Sequence, residues 1–182
     1  MDKQPTLAII GFGRLGGALA QLARDRGYRI AAVAAASAAT RAKATAQHFP
    51  VFSDNSTAAH AADLILLCVP DRQISAVCGE LVANGRLRAN QVLLHTSGAS
   101  GAELLADART AGVAVGSLHP LQSFADASTA AENLPGSAFA IDGDPATSWK
   151  TLRYKNRPNL GGLKPGVGLV LALGETRTVT AA

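Results

Sequence analysis

Short apolar runs alternate with segments of helical apolar spacing along residues 1–145. The strand-like runs are 7–10, 29–34, 51–52, 64–69, 91–95, 113–115 and 138–141. Between them, apolar and small residues recur every three or four positions, which predicts helices over 16–26, 39–48, 54–62, 73–82 and 101–111. Short uninterrupted apolar strands are typical of strands buried on both faces of a sheet. The alternation therefore predicts an α/β fold with a doubly wound, mostly parallel sheet.

The charge pattern changes after residue 145. Residues 1–145 carry 11 basic and 12 acidic side chains, whereas residues 146–182 carry six basic and one acidic. Residues 157–166 are rich in proline and glycine, and no long amphipathic helix follows them. We therefore expect a domain over 1–145 and an irregular tail over 146–182. A solvated tail is favoured over a nucleic-acid interface, because its basic residues belong to no recognisable nucleic-acid-binding module.

Composition narrows the class of protein further. The chain is 48% hydrophobic and 16% charged, which is typical of a globular protein. Cys68 and Cys78 stand outside any spacing that would hold zinc, so they are expected to be free thiols in a reducing cytosol, with no metal site. No secretory leader and no membrane-spanning run are recognisable. A cytoplasmic protein without a membrane partner is the expectation.

A glycine-rich segment, Gly11–Gly16, joins the first predicted strand to the first predicted helix. In this context Gly11 permits a tight turn, Gly13 lets the backbone approach a pyrophosphate, and Gly16 lets helix and strand pack closely. The helix N-terminus adds free N–H groups and partial positive charge. The alternative is a strand-to-helix turn that binds nothing. The cofactor-binding residues expected here are Gly11, Phe12, Gly13, Arg14, Leu15 and Gly16.

The end of the second strand bears on which dinucleotide binds. Sites for NAD usually carry an acidic residue about 20 residues beyond the glycines, where it binds the ribose 2′-hydroxyl. Residues 34–41 contain no acid, and Ser37, Thr40 and Arg41 offer donors that suit a 2′-phosphate. A plain solvated role for Arg41 is the alternative. The sequence favours NADP over NAD, with Ser37 and Arg41 as its contacts.

Other candidate residues follow the predicted strands at their carboxyl ends, where open α/β sheets bind ligands. Cys68, Val69, Pro70, Thr96 and Ser97 are expected to line the cofactor, and Ser97 also offers its hydroxyl to a substrate. His119 is expected in an extended loop before Pro120, where it would donate a proton to a carbonyl or imine. A structural role for His119 is an equal alternative, whereas His95 is expected to be buried and structural.

Four segments together carry a family resemblance: 9–16 (IIGFGRLG), 67–71 (LCVPD), 94–99 (LHTSGA) and 116–124 (GSLHPLQSF). Over residues 6–145 the chain resembles the Rossmann-like oxidoreductases whose C-terminal part is a domain of unknown function. That family is similar to the deazaflavin-coenzyme-dependent NADP oxidoreductases and, more distantly, to pyrroline-carboxylate reductase and prephenate dehydrogenase. The resemblance implies a helical C-terminal domain that makes a homodimer. Residues 146–182 do not match one, so we expect that part to be truncated, frame-shifted or divergent.

The leading hypothesis is an NADP-dependent oxidoreductase that transfers hydride to or from a small carbonyl or imine, with His119 and Ser97 as catalytic residues. The alternative from another class is a non-catalytic NADP-binding module that lacks its substrate and dimerisation domain. A methyltransferase with a similar nucleotide loop is less favoured, because the Val69-Pro70-Asp71 turn and the acid-free second strand fit a dehydrogenase better.

Overall fold

The computed structural model describes residues 4–122, 126–137 and 139–142. One sheet of seven strands runs through them in the order β3-β2-β1-β4-β5-β6-β7. The first six strands are parallel, and β7 pairs with β6 in the antiparallel sense. The strands are β1 (Leu7–Ile10), β2 (Ile30–Ala34), β3 (Val51–Phe52), β4 (Leu64–Leu67), β5 (Val92–His95), β6 (Ala114–Pro120) and β7 (Phe139–Asp142).

Six helices connect the strands: α1 (Arg14–Asp25), α2 (Ala38–Ala46), α3 (Asn55–His60), α4 (Asp71–Ala83), α5 (Ala106–Thr110) and α6 (Ala127–Asn133). A 3-10 turn over Ala102–Leu105 leads directly into α5. Polar side chains cap three of the helices, since Ser37, Asp54 and Asp126 each accept a hydrogen bond from the backbone N–H three residues on. Gly27 and Gly112 follow α1 and α5 with φ of +84° and +79°, as helix-ending glycines do.

The core lies in two layers, one on each face of the sheet. Alternate residues of the central strands point to opposite faces, so Ile10 and Leu67 pack with α3 and α4 while Ile9 and Leu66 pack with α1. A smaller cluster joins α1 to α6 through Ala18, Ala130 and Leu134. Burial on both faces is the reason that these strands read as continuous apolar runs.

The predicted fold class, a doubly wound, mostly parallel sheet of the Rossmann type, is confirmed, with local differences. The sequence predicts that His119 lies in an extended loop after a strand. In the structure, however, His119 lies within β6, opposite Ala140 of β7. The antiparallel pairing with β7 extends β6 to Pro120, and a single sequence gives no signal for that partner. The helix predicted over 101–111 is divided into the 3-10 turn and α5, and α6 was not predicted.

The boundary near residue 145 and the tail over 146–182 lie outside the described residues. Within the described ranges, every helix is too short or too polar to cross a lipid bilayer.

Candidate functional site

The loop between β1 and α1 owes its shape to two glycines that tolerate no side chain. Gly11 has a φ of +98°, and a Cβ there would overlap the carbonyl group of Cys68 at the end of β4. A Cβ on Gly16 would overlap the carbonyl oxygen of Gly11. The N–H of Gly11 also donates to the Ala34 carbonyl at 2.8 Å. The loop is therefore fixed by β2, β4 and the first turn of α1 together.

Gly13 is different, because a Cβ there would meet no protein atom within 4 Å. Its φ of −80° is open to any residue, so neither the backbone nor the packing requires glycine. The residue is exposed and lines a cavity of about 550 Å³ at the carboxyl ends of β1, β2 and β4. The missing side chain leaves room for a group that approaches the backbone from this cavity, where the N-terminus of α1 favours negative charge.

The cavity brings together most of the residues predicted to bind a cofactor. Gly11, Phe12, Gly13, Ser37, Arg41, Cys68, Val69 and Pro70 line it. Phe12 contributes mainly through its backbone, because its buried ring packs edge-on against Phe49, 5.4 Å between centroids. Arg14, Leu15, Gly16, Thr96, Ser97 and His119 do not line the cavity. Of these, Gly16 is buried beneath the loop and Leu15 packs against the α1–α6 cluster.

The cavity wall after the end of β2 contains the hydrogen-bond donors Ser37, Thr40 and Arg41 and no acidic side chain. Nη1 of Arg41 donates to the carbonyl oxygens of Ala35 at 2.9 Å and Ala36 at 2.7 Å. These bonds hold the guanidinium against the cavity wall. Ser37 Oγ accepts from the Thr40 N–H at 3.1 Å and shares a hydrogen bond with Thr40 Oγ1 at 2.7 Å. The sequence prediction that Ser37 and Arg41 share one site with the glycine loop agrees with this arrangement.

Another region of the cavity is not predicted from the sequence. It is lined by Ser53, Asp54 and Asn55 after β3, and by Gln73, Val77 and Glu80 of α4. The Nδ2 of Asn55 donates to Glu80 Oε2 at 3.1 Å. Hydrogen bonds from Thr57 lower the pKa of the Asp54 carboxyl. The available signal was the spacing on α4, since positions 73, 77 and 80 share one face of a helix.

A second group of polar residues lies beyond the cavity, where β4, β5 and β6 end. The hydroxyl of Thr96 donates to the Leu67 carbonyl at 3.3 Å, and the Thr96 side chain also hydrogen bonds to Cys68. Burial raises the pKa of the Cys68 thiol to about 12, so Cys68 stays protonated at neutral pH. The thiol is thus a small neutral wall of the cavity and not a nucleophile.

His95 is buried and fully occupied by its own loop, as predicted. One ring nitrogen, Nε2, lies 2.7 Å from the Gly101 carbonyl, and Nδ1 accepts from the Ser97 N–H at 3.2 Å. Ser97 is also buried, and its Oγ accepts from the Ala99 N–H at 3.1 Å. His119, half-buried, places Nδ1 3.0 Å from the Thr96 carbonyl oxygen. His119 therefore directly contacts Thr96, which precedes Ser97, the other residue predicted to be catalytic.

Comparisons with known proteins agree with this fold. A family model described as a Rossmann-like domain matches residues 2–120. A ketol-acid reductoisomerase (NADP(+)) of Xanthomonas euvesicatoria pv. vesicatoria is 38% identical over 82 residues, which are 45% of this chain and 24% of that protein. The chain therefore spans about a quarter of the length of this relative.

Solved structures show the same fold at lower sequence identity. The prephenate dehydrogenase of A. aeolicus, in complex with hydroxyphenyl propionate and NAD+, matches with a TM-score of 0.65 and 16% identity, over 80% of this chain and 53% of that one. A pyrroline-5-carboxylate reductase from Coxiella burnetii matches with a TM-score of 0.64 and 17% identity, over 80% of this chain and 52% of that one. An imine reductase variant from Myxococcus stipitatus, in complex with NAD+, matches with a TM-score of 0.57 and 23% identity, over 66% of this chain and 42% of that one.

Proposed function

The chain belongs to the Rossmann-like domain family, and on that premise we propose that it is an NADP-dependent oxidoreductase. Its substrate is a small carbonyl or imine compound, or the corresponding alcohol or amine. The bound nicotinamide would supply or accept the hydride. The residues of this chain hold the dinucleotide, orient it at the ends of β4 and β5, and handle the accompanying proton.

One observation carries the dinucleotide assignment: the contrast among the three loop glycines. Gly11 and Gly16 are required by the fold, whereas nothing in the protein fills the place of a Gly13 side chain. A glycine that packing does not require, beside a cavity and one residue before a helix, fits the close approach of a pyrophosphate. The cavity also extends to the ends of β2 and β3, in the direction that the adenosine half would take.

The preference for NADP rests on the donors at the end of β2. A carboxylate there would repel a 2′-phosphate, and the cavity wall formed by Ala34–Ser37, Thr40 and Arg41 contains none. Arg41 is held by Nη1, and within the part of the chain that the structure describes its Nε and Nη2 make no hydrogen bond. These two donors suit a phosphate in the fork geometry that guanidinium groups favour. The NADP(+) specificity in the name of the ketol-acid reductoisomerase supports the same choice.

The reaction is assigned to the contact between the 96–98 segment and His119. Ser97 offers a hydroxyl, and His119 offers an imidazole ring, the side chain that most often serves as a general acid or base. The names of the matched pyrroline-5-carboxylate reductase and imine reductase support a carbonyl or imine substrate. We assign substrate contact and proton transfer to Ser97 and His119, and cofactor contact to Thr96.

The test is a titration of the full chain with NADPH and with NADH, following nicotinamide fluorescence, together with a turnover screen on small carbonyl and imine compounds. We expect saturable binding of both cofactors, with NADPH tighter, and oxidation of NADPH by at least one compound class. If neither NADPH nor NADH binds, the dinucleotide assignment is overturned. If a cofactor binds but no compound is reduced or oxidised, the oxidoreductase assignment is overturned. The protein would then be a non-catalytic dinucleotide-binding module.

A further inference from the structure

Two imidazole rings hold the loop that follows β5 (residues 96–101). His95 contacts it from within β5 through Ser97 N–H and the Gly101 carbonyl, at 3.2 and 2.7 Å. His119 contacts it from β6 through the Thr96 carbonyl at 3.0 Å. Because a carbonyl oxygen only accepts and a backbone N–H only donates, each contact assigns a proton. His95 carries its proton on Nε2, and His119 carries its proton on Nδ1.

The assignment for His119 decides which ring nitrogen can take part in chemistry. Nδ1 donates to the Thr96 carbonyl, so the ring nitrogen to which a role in proton transfer falls is Nε2. The position of Nε2 then depends on what fixes the plane of the ring. Rotation about the Nδ1 hydrogen bond changes the plane of the ring, and groups that pack against the ring faces limit that rotation.

Gly98 is one of these groups. A Cβ at this position would overlap the ring, 2.6 Å from both Cδ2 and Cε1 of His119 and no farther from Nε2. Nearly equal distances to these three atoms place the contact over the face of the ring. A contact in the ring plane, along the Nε2 direction, would leave both carbons much farther away than the nitrogen. Gly98 therefore packs against the imidazole face and lies away from the in-plane direction of Nε2.

The backbone offers no reason for glycine at this position. Gly98 is absent from the glycines with positive φ, which are Gly11, Gly27, Gly85, Gly112 and Gly136. A positive φ is therefore not the reason for glycine here, and the reason that the structure does show is the neighbouring ring. This distinguishes Gly98 from Gly11, which has both a positive φ and a backbone neighbour.

We propose that Gly98 is a positioning residue for His119: its missing side chain sets the depth and plane of the imidazole, while Thr96 fixes the proton on Nδ1. The inference rests on the proposed role of His119, but its structural content is separate from catalysis. It makes residues 96–98 and His119 one unit, in which a methyl group on Gly98 displaces the ring without touching the dinucleotide cavity.

A double-mutant cycle on the full chain tests the steric part. We expect Gly98→Ala to lower the thermal midpoint by about 5 °C or more, since the methyl group must displace a packed ring. In a His119→Ala background the same change should cost nothing or raise the midpoint, because the ring is gone. Gly79→Ala is the matched control: it lies in α4, and its Cβ would meet only Asp107 Oδ2 at 3.8 Å. An equal loss in both backgrounds would overturn the proposal.

If Gly98→Ala alone does not fold, the cycle still decides. Folding restored in the Gly98→Ala/His119→Ala double variant supports the ring as the cause. A double variant that stays unfolded while His119→Ala folds shows that Gly98 is required for another reason, and the proposal fails.

Nitrogen NMR of labelled histidine tests the positioning part, and His119→Ala identifies the signals. In the unsubstituted protein we expect His119 to be protonated on Nδ1 and His95 on Nε2. Gly98→Ala should shift the His119 signals towards the Nε2-protonated form and leave the His95 signals in place. If Gly98→Ala is unfolded, the protonation site of His119 in the unsubstituted protein is the deciding result. Unchanged His119 signals, or a His119 protonated on Nε2 in the unsubstituted protein, would refute the proposal. These readouts need no turnover, so failure of the proposed function registers separately, in the NADPH titration and the substrate screen.

Discussion

The backbone of Gly11 lies directly against the carbonyl group of Cys68. A Cβ on Gly11 would come within 2.7 Å of the Cys68 carbonyl carbon and 3.1 Å of Val69 Cγ1. The Cys68 N–H donates to the Ile10 carbonyl at 2.7 Å, so β1 and β4 stay paired to the last residue before the loop. This contact places the glycine loop beside the end of β4. A group held by the loop therefore also lies next to Cys68, Val69 and Pro70.

The three loop glycines should separate stability from binding. We expect Gly16→Ala to lower the free energy of unfolding by about 3 kcal/mol, because its methyl group would overlap the backbone of Gly11. Gly13→Ala should change that free energy by less than about 1 kcal/mol, yet weaken NADPH at least about tenfold. Urea unfolding and fluorescence titration measure the two effects. Full NADPH affinity in Gly13→Ala would contradict the pyrophosphate assignment.

Arg41 should discriminate between the two cofactors. Arg41→Asp replaces a donor by a repelling carboxylate, so we expect NADPH to weaken about 10- to 100-fold and NADH to change much less. Lys43→Asp is the control, since it makes the same charge change on α2 at an exposed position outside the cavity. Titrations of both variants with both cofactors give the comparison. Equal losses for NADPH and NADH in Arg41→Asp would argue against a 2′-phosphate contact.

The Cys68 thiol should make stability depend on alkaline pH. Its pKa is about 12 in the folded protein, against an ordinary value of 9.0, because burial disfavours the thiolate. Above pH 9.0 the unfolded chain releases this proton and the folded protein retains it, so the free energy of unfolding falls as pH rises. Cys68→Ala should remove up to about 1.4 kcal/mol per pH unit from that slope. Urea unfolding on both sides of pH 9.0 measures it, and an unchanged slope would refute the buried thiol.

Ser117 carries a hydroxyl that the fold does not satisfy. It is fully buried in β6 opposite His95, and among the described residues its Oγ has no hydrogen-bond partner. Ser117→Ala should therefore leave the free energy of unfolding unchanged or raise it by about 1 kcal/mol. Ser56→Ala is the contrast, because buried Ser56 Oγ accepts from Asn84 Nδ2 at 2.7 Å, and its loss should cost about 1 kcal/mol or more. Denaturant unfolding compares them, and a loss for Ser117→Ala like that for Ser56→Ala would show that its hydroxyl is bonded in solution.

The sequence by itself determined the features that depend on local chemistry. Apolar runs such as Leu64–Leu67 predict buried parallel strands because burial on both faces leaves no place for polar residues. The glycine loop was recognisable because a strand-to-helix turn with this spacing requires small residues at fixed positions. Ser37 and Arg41 were predicted from the absence of an acid at the end of the second strand, and both line the cavity.

Tertiary structure decided what depends on chain segments far apart in sequence. Gln73 and Glu80 line the cavity only because α4 packs beside the end of β4, and His119 lies in a strand only because β7 pairs with β6. In the sequence, Gly98 is an ordinary loop glycine. In the structure, the imidazole of His119, 21 positions on, occupies the space that a side chain on Gly98 would need. Periodicity and turn chemistry report on neighbours along the chain. Contacts between the ends of different strands arise from the strand order of the sheet, which no local pattern encodes.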